Sequence, residues 1–339
     1  MCEKPILIDA LFLNMGGAIM IINRLVDGLV ESGVNFVLLK DARCPKLNSE
    51  DYISEVIVMQ PSIKLRHHFY KHHKNDFSKV VCMANIPPSI KLKVPVATYF
   101  HNLTVLKIPS NFTLKRKMRF WVRRAATILW CRNTDSWVVQ TQNSEDTLRN
   151  TIPHTKYIYQ FPIYRIPDEF IDDGCSDRDG FVFVGEYSYA KGHDELLQAW
   201  KILHKRGYNP LLRLTVSQES EFKNKLPGEI ANGLNIKNYG FLPYMDLPKL
   251  YKSSQALIYP SRNESLGLGL IEAAIAGCDI LSSDHPFTYS VCKPSAVFDP
   301  TDPISIADAV CRYLDGKASK SELKISDKLS DFLEFIKKM

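Results

Sequence analysis

The spacing of apolar residues changes period several times in the first forty positions. Ile6–Leu11 is an apolar run broken only by Asp9, Ala18–Ser32 sets Ile22, Leu25, Val26 and Leu29 at helical spacing, and Val34–Lys40 is again short and β-rich. A period near two, then near 3.6, then near two predicts strand, helix, strand. Gly33 closes the helix where a left-handed residue is wanted. Further strands are predicted at Glu55–Met59, Val80–Asn85, Val96–Tyr99, Ser136–Gln140 and Tyr157–Phe161. Strand and helix in alternation predict a parallel sheet with helices on both faces.

The pattern breaks around Ile163–Gly180, where Pro167, the acidic cluster Asp168, Glu169, Asp172 and Asp173, and Gly174 mark a linker. A second alternation follows. Phe181–Gly185, Leu212–Val216, Ile236–Gly240, Ala256–Tyr259 and Asp279–Ser282 are predicted strands, with helices such as His193–Arg206 and Gly267–Ala276 between them. The expected fold is α/β, with two doubly wound Rossmann-like domains at 1–165 and 166–318. Residues 319–339 are expected to form a tail with an amphipathic helix at about Ser321–Lys338, packing back toward the first domain.

Composition narrows the class. A chain of 339 residues suits two domains better than one core, and 45% hydrophobic with 24% charged residues excludes disordered and fibrous classes. Met1–Leu11 reads as a first strand and not a signal peptide, and no stretch approaches the roughly 20 apolar residues of a membrane span. The eight cysteines form no CxxC pair, which argues against a zinc site or disulfide framework and for a cytoplasmic setting. No resident metal or cofactor is expected.

Charge is divided unevenly. Residues 1–165 carry 23 Lys/Arg against 12 Asp/Glu, while residues 166–339 carry 20 against 25. Phe77–Thr134 holds eleven Lys/Arg and no acid, so an anionic partner is expected for the first domain. No recognised nucleic-acid module accompanies this basic stretch, so nucleic acid is not the expected partner. Within it, residues 114–130 mix Lys115, Arg116, Lys117, Arg119, Arg123 and Arg124 with Phe120, Trp121, Val122, Ile128, Leu129 and Trp130. Two readings are open: a core helix with a charged outer face, or a helix lying on an anionic membrane through 107–132.

The chemistry concentrates in Tyr259-Pro-Ser-Arg-Asn-Glu264-Ser-Leu-Gly267-Leu-Gly269-Leu-Ile-Glu272-Ala-Ala-Ile-Ala-Gly277. An apolar strand ends, a polar loop follows, and glycines turn the backbone into a helix whose first free N–H groups form an anion site. Glu264 in the loop can reach a sugar. Glu272, about two turns into the helix, can accept two ribose hydroxyls.

This segment resembles the E-x7-E signature of glycosyltransferase family 4 and its GT-B relatives, E-G-F-G-L-P-x-x-E-A-M-A-x-G, with departures at Ser265, Leu266 and Gly269. Phe183-Val-Gly185-Glu-Tyr-Ser-Tyr-Ala-Lys191-Gly192 resembles the family's G-R-x-x-x-x-K-G, whose Arg and Lys grip the donor diphosphate. Lys191 is in place, but Glu186 stands where the Arg would be. Either Glu186 turns away and Lys191 works alone, or the loop binds the donor differently. Residues 296–310 resemble the strand and helix that follow the donor site. Asn14-Met15-Gly16-Gly17 fits the family's glycine loop, and Tyr99-Phe100-His101-Asn102 resembles its active-site histidine position.

The resemblance implies a GT-B fold with two domains facing a central cleft. It implies a retaining, metal-independent glycosyltransferase using a UDP- or GDP-linked nucleotide diphosphate sugar as donor. Glu264, His101 and Lys191 would then be catalytic, with Gly16, Gly17, Leu266, Gly267, Leu268 and Glu272 binding the donor. The basic first domain suggests a lipid-diphosphate-linked saccharide acceptor at the inner membrane face, as in surface-polysaccharide assembly. A nucleotide-sugar 2-epimerase of the same architecture, or a non-catalytic nucleotide-sugar-binding subunit, is the competing reading.

Plainer roles stand beside these: a half-buried strand-end histidine for His101, a helix-entry lysine for Lys191, a simple turn for Gly16-Gly17. His67, His68, His72 and His73 sit among Arg66, Lys71 and Lys74, and read as a solvated basic segment rather than a metal site. Asp177 and Asp179 read as solvent-facing linker residues.

Overall fold

The computed structural model describes residues 4–14, 16–108, 112–152, 155, 157–174, 177–217 and 219–339. The chain divides into two units, 1–165 with 326–339, and 166–325.

The first unit runs β1 (Ile6–Ala10), α1 (Gly17–Glu31), β2 (Phe36–Asp41), β3 (Glu55–Met59), α2 (Ile63–His72), β4 (Lys79–Cys82), β5 (Val96–Phe100), α3 (Leu114–Leu129), β6 (Ser136–Val139), α4 (Gln142–Thr151) and β7 (Ile158–Gln160). Its seven strands are all parallel, in the order β3-β2-β1-β4-β5-β6-β7. The order reverses between β1 and β4, and ligands of such sheets bind at the carboxyl ends of the strands beside that switch. Buried strands such as β1, β2 and β5 have no exposed residue, as expected for a sheet covered on both faces.

The second unit runs β8 (Phe181–Phe183), α5 (His193–Lys205), β9 (Leu212–Leu214), α6 (Leu226–Ala231), β10 (Ile236–Asn238), α7 (Leu247–Lys252), β11 (Ala256–Tyr259), α8 (Leu268–Ile275), β12 (Asp279–Ser283), α9 (Pro286–Val291), β13 (Cys292–Lys293), β14 (Ala296–Phe298), α10 (Pro303–Leu314) and β15 (Glu322–Leu323). Its six-stranded sheet is also parallel, ordered β10-β9-β8-β11-β12-β14, with the reversal between β8 and β11. Two doubly wound α/β units of this kind make up the GT-B fold.

The structure differs from the sequence reading at β4, at the last helix and at Arg66, and several other strand ends shift by one or two residues. Strand β4 ends at Cys82 and not at Asn85, because Asn85 turns left-handed (φ 66°). The final helix, α11 (Leu329–Lys338), starts eight residues later than about Ser321. Residues 321–328 are committed elsewhere: β15 pairs with β13, the Ser321 hydroxyl accepts from Ile280 N and Ser295 N, and Asp327 accepts from Tyr164 N. Helix α11 packs on α1, with Leu329 and Leu333 seated over Gly28. Arg66 is the third. It is buried (3% exposed) and pairs with buried Asp9 at 2.7 Å, while the Tyr70 hydroxyl donates to the same carboxylate at 2.5 Å. The i, i+3, i+4 rows of α2 place Arg66, Phe69 and Tyr70 on the sheet, and the guanidinium closes over the Ile86 and Pro87 carbonyls.

Candidate functional site

The loop between β11 and α8 in the second unit gathers most of the polar chemistry. Gly267 caps α8 in the left-handed region (φ 73°), with no side-chain cap on the first helical amides. Glu264, in the loop, accepts from Lys191 Nζ at 2.6 Å, from the Ser261 hydroxyl at 2.5 Å and from the Tyr259 hydroxyl at 3.0 Å, all at Oε1. Burial alone would raise the Glu264 carboxyl, but the Lys191 charge and these hydrogen bonds outweigh it and hold the group below the usual carboxylate range. Burial likewise opposes the charge on Lys191, yet Tyr259 and Glu264 keep the ammonium firmly protonated. The ammonium lies 5.3 Å from the Tyr259 ring centroid.

Lys191 is held there by its neighbour. Gly192 is left-handed (φ 69°), and a Cβ on it would lie 2.5 Å from the Pro260 carbonyl oxygen. Only glycine lets this loop settle on the end of β11. The next residue, His193, opens α5 with its ring 4.7 Å from Phe183 and its Nε2 against the Gly185 carbonyl at 3.3 Å.

Glu272, on α8, is buried (4% exposed) and accepts from the Tyr251 hydroxyl at 3.0 Å. Burial raises its carboxyl, and the Tyr251 and Tyr244 hydroxyls pull the other way. Glu186 is exposed, and its Oε2 accepts a long contact from Ser217 N at 3.4 Å. A guanidinium does stand beside the Lys191 loop, from a position the sequence did not suggest. Arg262 pairs with Glu195 at 2.7 Å, stacks 4.0 Å from the Tyr189 ring centroid and donates to the Tyr189 carbonyl.

In the first unit, His101 follows β5. Asn85 Oδ1 accepts from the backbone N–H groups of His101 (2.7 Å) and Asn102 (3.1 Å), which is the purpose its left-handed turn serves. Burial pushes the His101 imidazole down to about 4; the Met83 carbonyl opposes that, and the Arg123 charge adds to it. Its Nδ1 is buried without a hydrogen-bond partner among the described residues. Gly16 is the N-cap of α1 (φ 56°), with no side-chain cap and no acid in the first turn, and Gly17 begins the helix. Met15 lies outside the described residues. The structure therefore joins Glu264 to Lys191 directly, sets Leu266, Gly267, Leu268 and Glu272 on the same loop and helix, and places His101, Gly16 and Gly17 in the other unit.

The holding residues Tyr259, Ser261, Tyr251 and Asn85 were not legible as such. Ser261, three before Glu264, was the one with a local signal.

Among the described residues no group of three or more His, Cys, Asp or Glu could hold a metal ion. His67 and His73 are bonded singly, to Ser89 (2.8 Å) and Asp76 (2.8 Å), and Asp179 is not merely solvent-facing, since it pairs with Arg213. Helix α3 has an inner side, where Phe120 packs on the core and Ala126 and Thr127 are buried. Trp121 (64% exposed), Leu129 (75%), Val122, Met118 and Leu114 face outward, so its outer face is not only charged, as a core helix would have it, but also apolar. Among the described residues no helix is long and apolar enough to cross a membrane.

Residues 174–328, which lie mostly in the second unit, match the family model of the glycosyl transferases group 1. Relatives agree over similar stretches. An uncharacterized glycosyltransferase of Methanocaldococcus jannaschii is 29% identical over 147 residues (41% of this chain, 36% of the relative), and the serotype-specific mannosyltransferase WbdA of Escherichia coli is 31% identical over 141 residues (40% and 17%). The matched stretches thus span about a third or less of these relatives' length. Among solved structures, sucrose-phosphate synthase from Thermosynechococcus elongatus superposes with a TM-score of 0.68 at 16% identity, covering 93% of this chain and 90% of the other. Anabaena HepE, in complex with UDP and glucose, gives 0.62 at 14% identity, covering 93% and 91%.

Proposed function

We propose that the chain is a retaining glycosyltransferase of the family 4 kind, moving a sugar from a nucleotide diphosphate sugar to a lipid-linked saccharide acceptor. The observation that carries this is the Lys191–Glu264 pair at 2.6 Å beside the uncapped amides of α8, with Glu272 deeper on the same helix. Glu272 accepts ribose hydroxyls; Lys191 and the amides of Leu266–Leu268 take the diphosphate; Glu264 faces the sugar. As the bond to the anomeric carbon breaks, charge grows on the leaving diphosphate, and fixed positive groups stabilise it without reorganising. No step in this scheme needs a metal ion. In this reading His101, kept neutral by burial, is assigned to the sugar, and the Gly16 and Gly17 amides to phosphate. HepE, of the same fold, is seen with UDP and glucose, which supports a UDP-linked donor; GDP is the other base in view.

The acceptor reading rests on α3. An outward apolar stripe flanked by Lys115, Arg116, Lys117 and Arg119 suits a helix lying on an anionic membrane, each cation near the surface adding roughly 1 kcal/mol. The protein would work at the inner membrane face, in polysaccharide or glycolipid assembly. Incubation with UDP-, GDP- and dTDP-sugars, with and without a lipid-linked acceptor, tests the reading. Acceptor-dependent transfer with retained anomeric configuration supports it. Epimerised donor without acceptor, or binding without turnover, would replace it.

A further inference from the structure

The first unit holds a cavity of about 330 Å³ whose wall carries three guanidiniums, Arg43, Arg119 and Arg123, beside the ring of Phe12. Their charges are barely compensated. The nearby carboxylate, Asp41, is fully buried and already committed: it accepts from Arg43 Nε (2.9 Å) and Nη2 (2.7 Å), from Arg43 N (2.9 Å) and from Phe12 N (3.0 Å). Arg119 and Arg123 form no ion pair among the described residues. Arg123 is left with ring faces, 5.4 Å from Phe12 and 5.9 Å from Phe120.

Two further facts mark this as a built site. Phe12 is left-handed (φ 82°), a strained conformation for a bulky residue, held by the hydrogen bond its backbone N–H donates to the Asp41 carboxylate. Strain of this kind persists where the surroundings enforce it, and here it sets the ring under Arg123. Burial, together with the charges of Arg119 and Arg43, also lowers the pKa of the Arg123 guanidinium, against the opposing charge of Asp41.

The rest of the lining is apolar. Pro61, Met118 and Val122 line the cavity, and Met118 and Val122 also belong to the outward stripe of α3 that continues to Trp121. A second, apolar groove along Trp121, Val122 and Ile128 shares Val122 with it. An anion bound between the arginines can therefore carry an apolar chain out over α3.

We propose that this cavity binds the phosphate or diphosphate group of a lipid, with Arg119 and Arg123 on the anion and the chain leaving over Met118 and Val122 toward Trp121. Calling that lipid the acceptor rests on the glycosyltransferase reading; the site itself does not. Guanidiniums suit the task because their planar forks bond phosphate oxygens in pairs.

The test is calorimetric titration of the full chain with farnesyl diphosphate, with inorganic diphosphate and farnesol as the two halves, after UDP has been titrated first and left saturating. The expected result is farnesyl diphosphate binding at least tenfold tighter than either half. Arg119→Gln and Arg123→Gln should each weaken it at least tenfold while leaving UDP affinity and the melting temperature unchanged. Arg119 is exposed, so its variant keeps the fold even if Arg123→Gln does not. Equal farnesyl diphosphate affinity in wild type and Arg119→Gln overturns the proposal. So does farnesol or inorganic diphosphate binding as tightly as the whole probe, since the site would then be a greasy groove or a free-anion site. Failure to bind UDP strikes the donor reading instead and leaves the arginine dependence readable.

Discussion

Lys191 and Glu264 meet at 2.6 Å although seventy-three residues separate them, and the Tyr259 hydroxyl touches both. The pair holds the loop after β11 against the loop before α5. Glu264→Ala and Lys191→Ala are each expected to lower turnover by about 100-fold or more, the scale of losing one preorganised charge stabiliser. Initial rates with a nucleotide-sugar donor check this; near-normal transfer by both variants would remove the pair from the mechanism.

Gly192→Ala should damage donor binding without touching a charged group. The added methyl meets the Pro260 oxygen at 2.5 Å and strains a left-handed backbone. A loss of roughly 1–3 kcal/mol in stability is expected, along with weaker UDP binding. An unchanged melting curve and UDP affinity would mean that the loop has room it does not show.

Acid should weaken the fold in a defined window. Burial pushes both His101 and His193 down to about 4, against 6.5 for an ordinary imidazole. Between those values the unfolded chain takes up protons that the native imidazoles refuse. Stability therefore falls as pH drops from about 6.5 to 4, by up to roughly 3 kcal/mol per histidine, and no further below that. Glu264 adds to the loss at lower pH: its native pKa is depressed, so its contribution is complete above its ordinary value of 4.5 and disappears as pH falls through the native one. Denaturant titrations at pH 7, 5.5 and 4.5 on wild type and His193→Gln measure the first part. A wild-type slope equal to that of the variant would show that His193 does not contribute.

The Asp9–Arg66 pair should be costly to break by halves. Both groups are buried, at 1% and 3% exposure. Arg66→Met leaves a carboxylate in the core, and a loss of about 3–5 kcal/mol is expected, whereas Asp9→Leu with Arg66→Met should lose less than the two single losses added. A double-mutant cycle by chemical denaturation decides it.

The sequence by itself determined the two-unit α/β fold and the loop that carries Glu264, Gly267 and Glu272, because strand and helix periods and glycine positions act locally. It also placed Lys191 in the loop before α5. It misjudged Arg66 and the start of α11 and left α3 open between two readings, and for one reason in each case. Whether Arg66 meets water or Asp9, whether Trp121 meets core or solvent, and whether residues 321–328 are free to coil depends on what other segments occupy the space beside them. The same holds for the supports of the site. Tyr259, Ser261 and Tyr251 become the holders of two carboxylates only when parallel strands bring their loops together, and Arg43, Arg119 and Arg123 come to line one cavity only when α3 lies beside Phe12 and Arg43. Periodicity reports which face of an element is buried; packing alone decides against what.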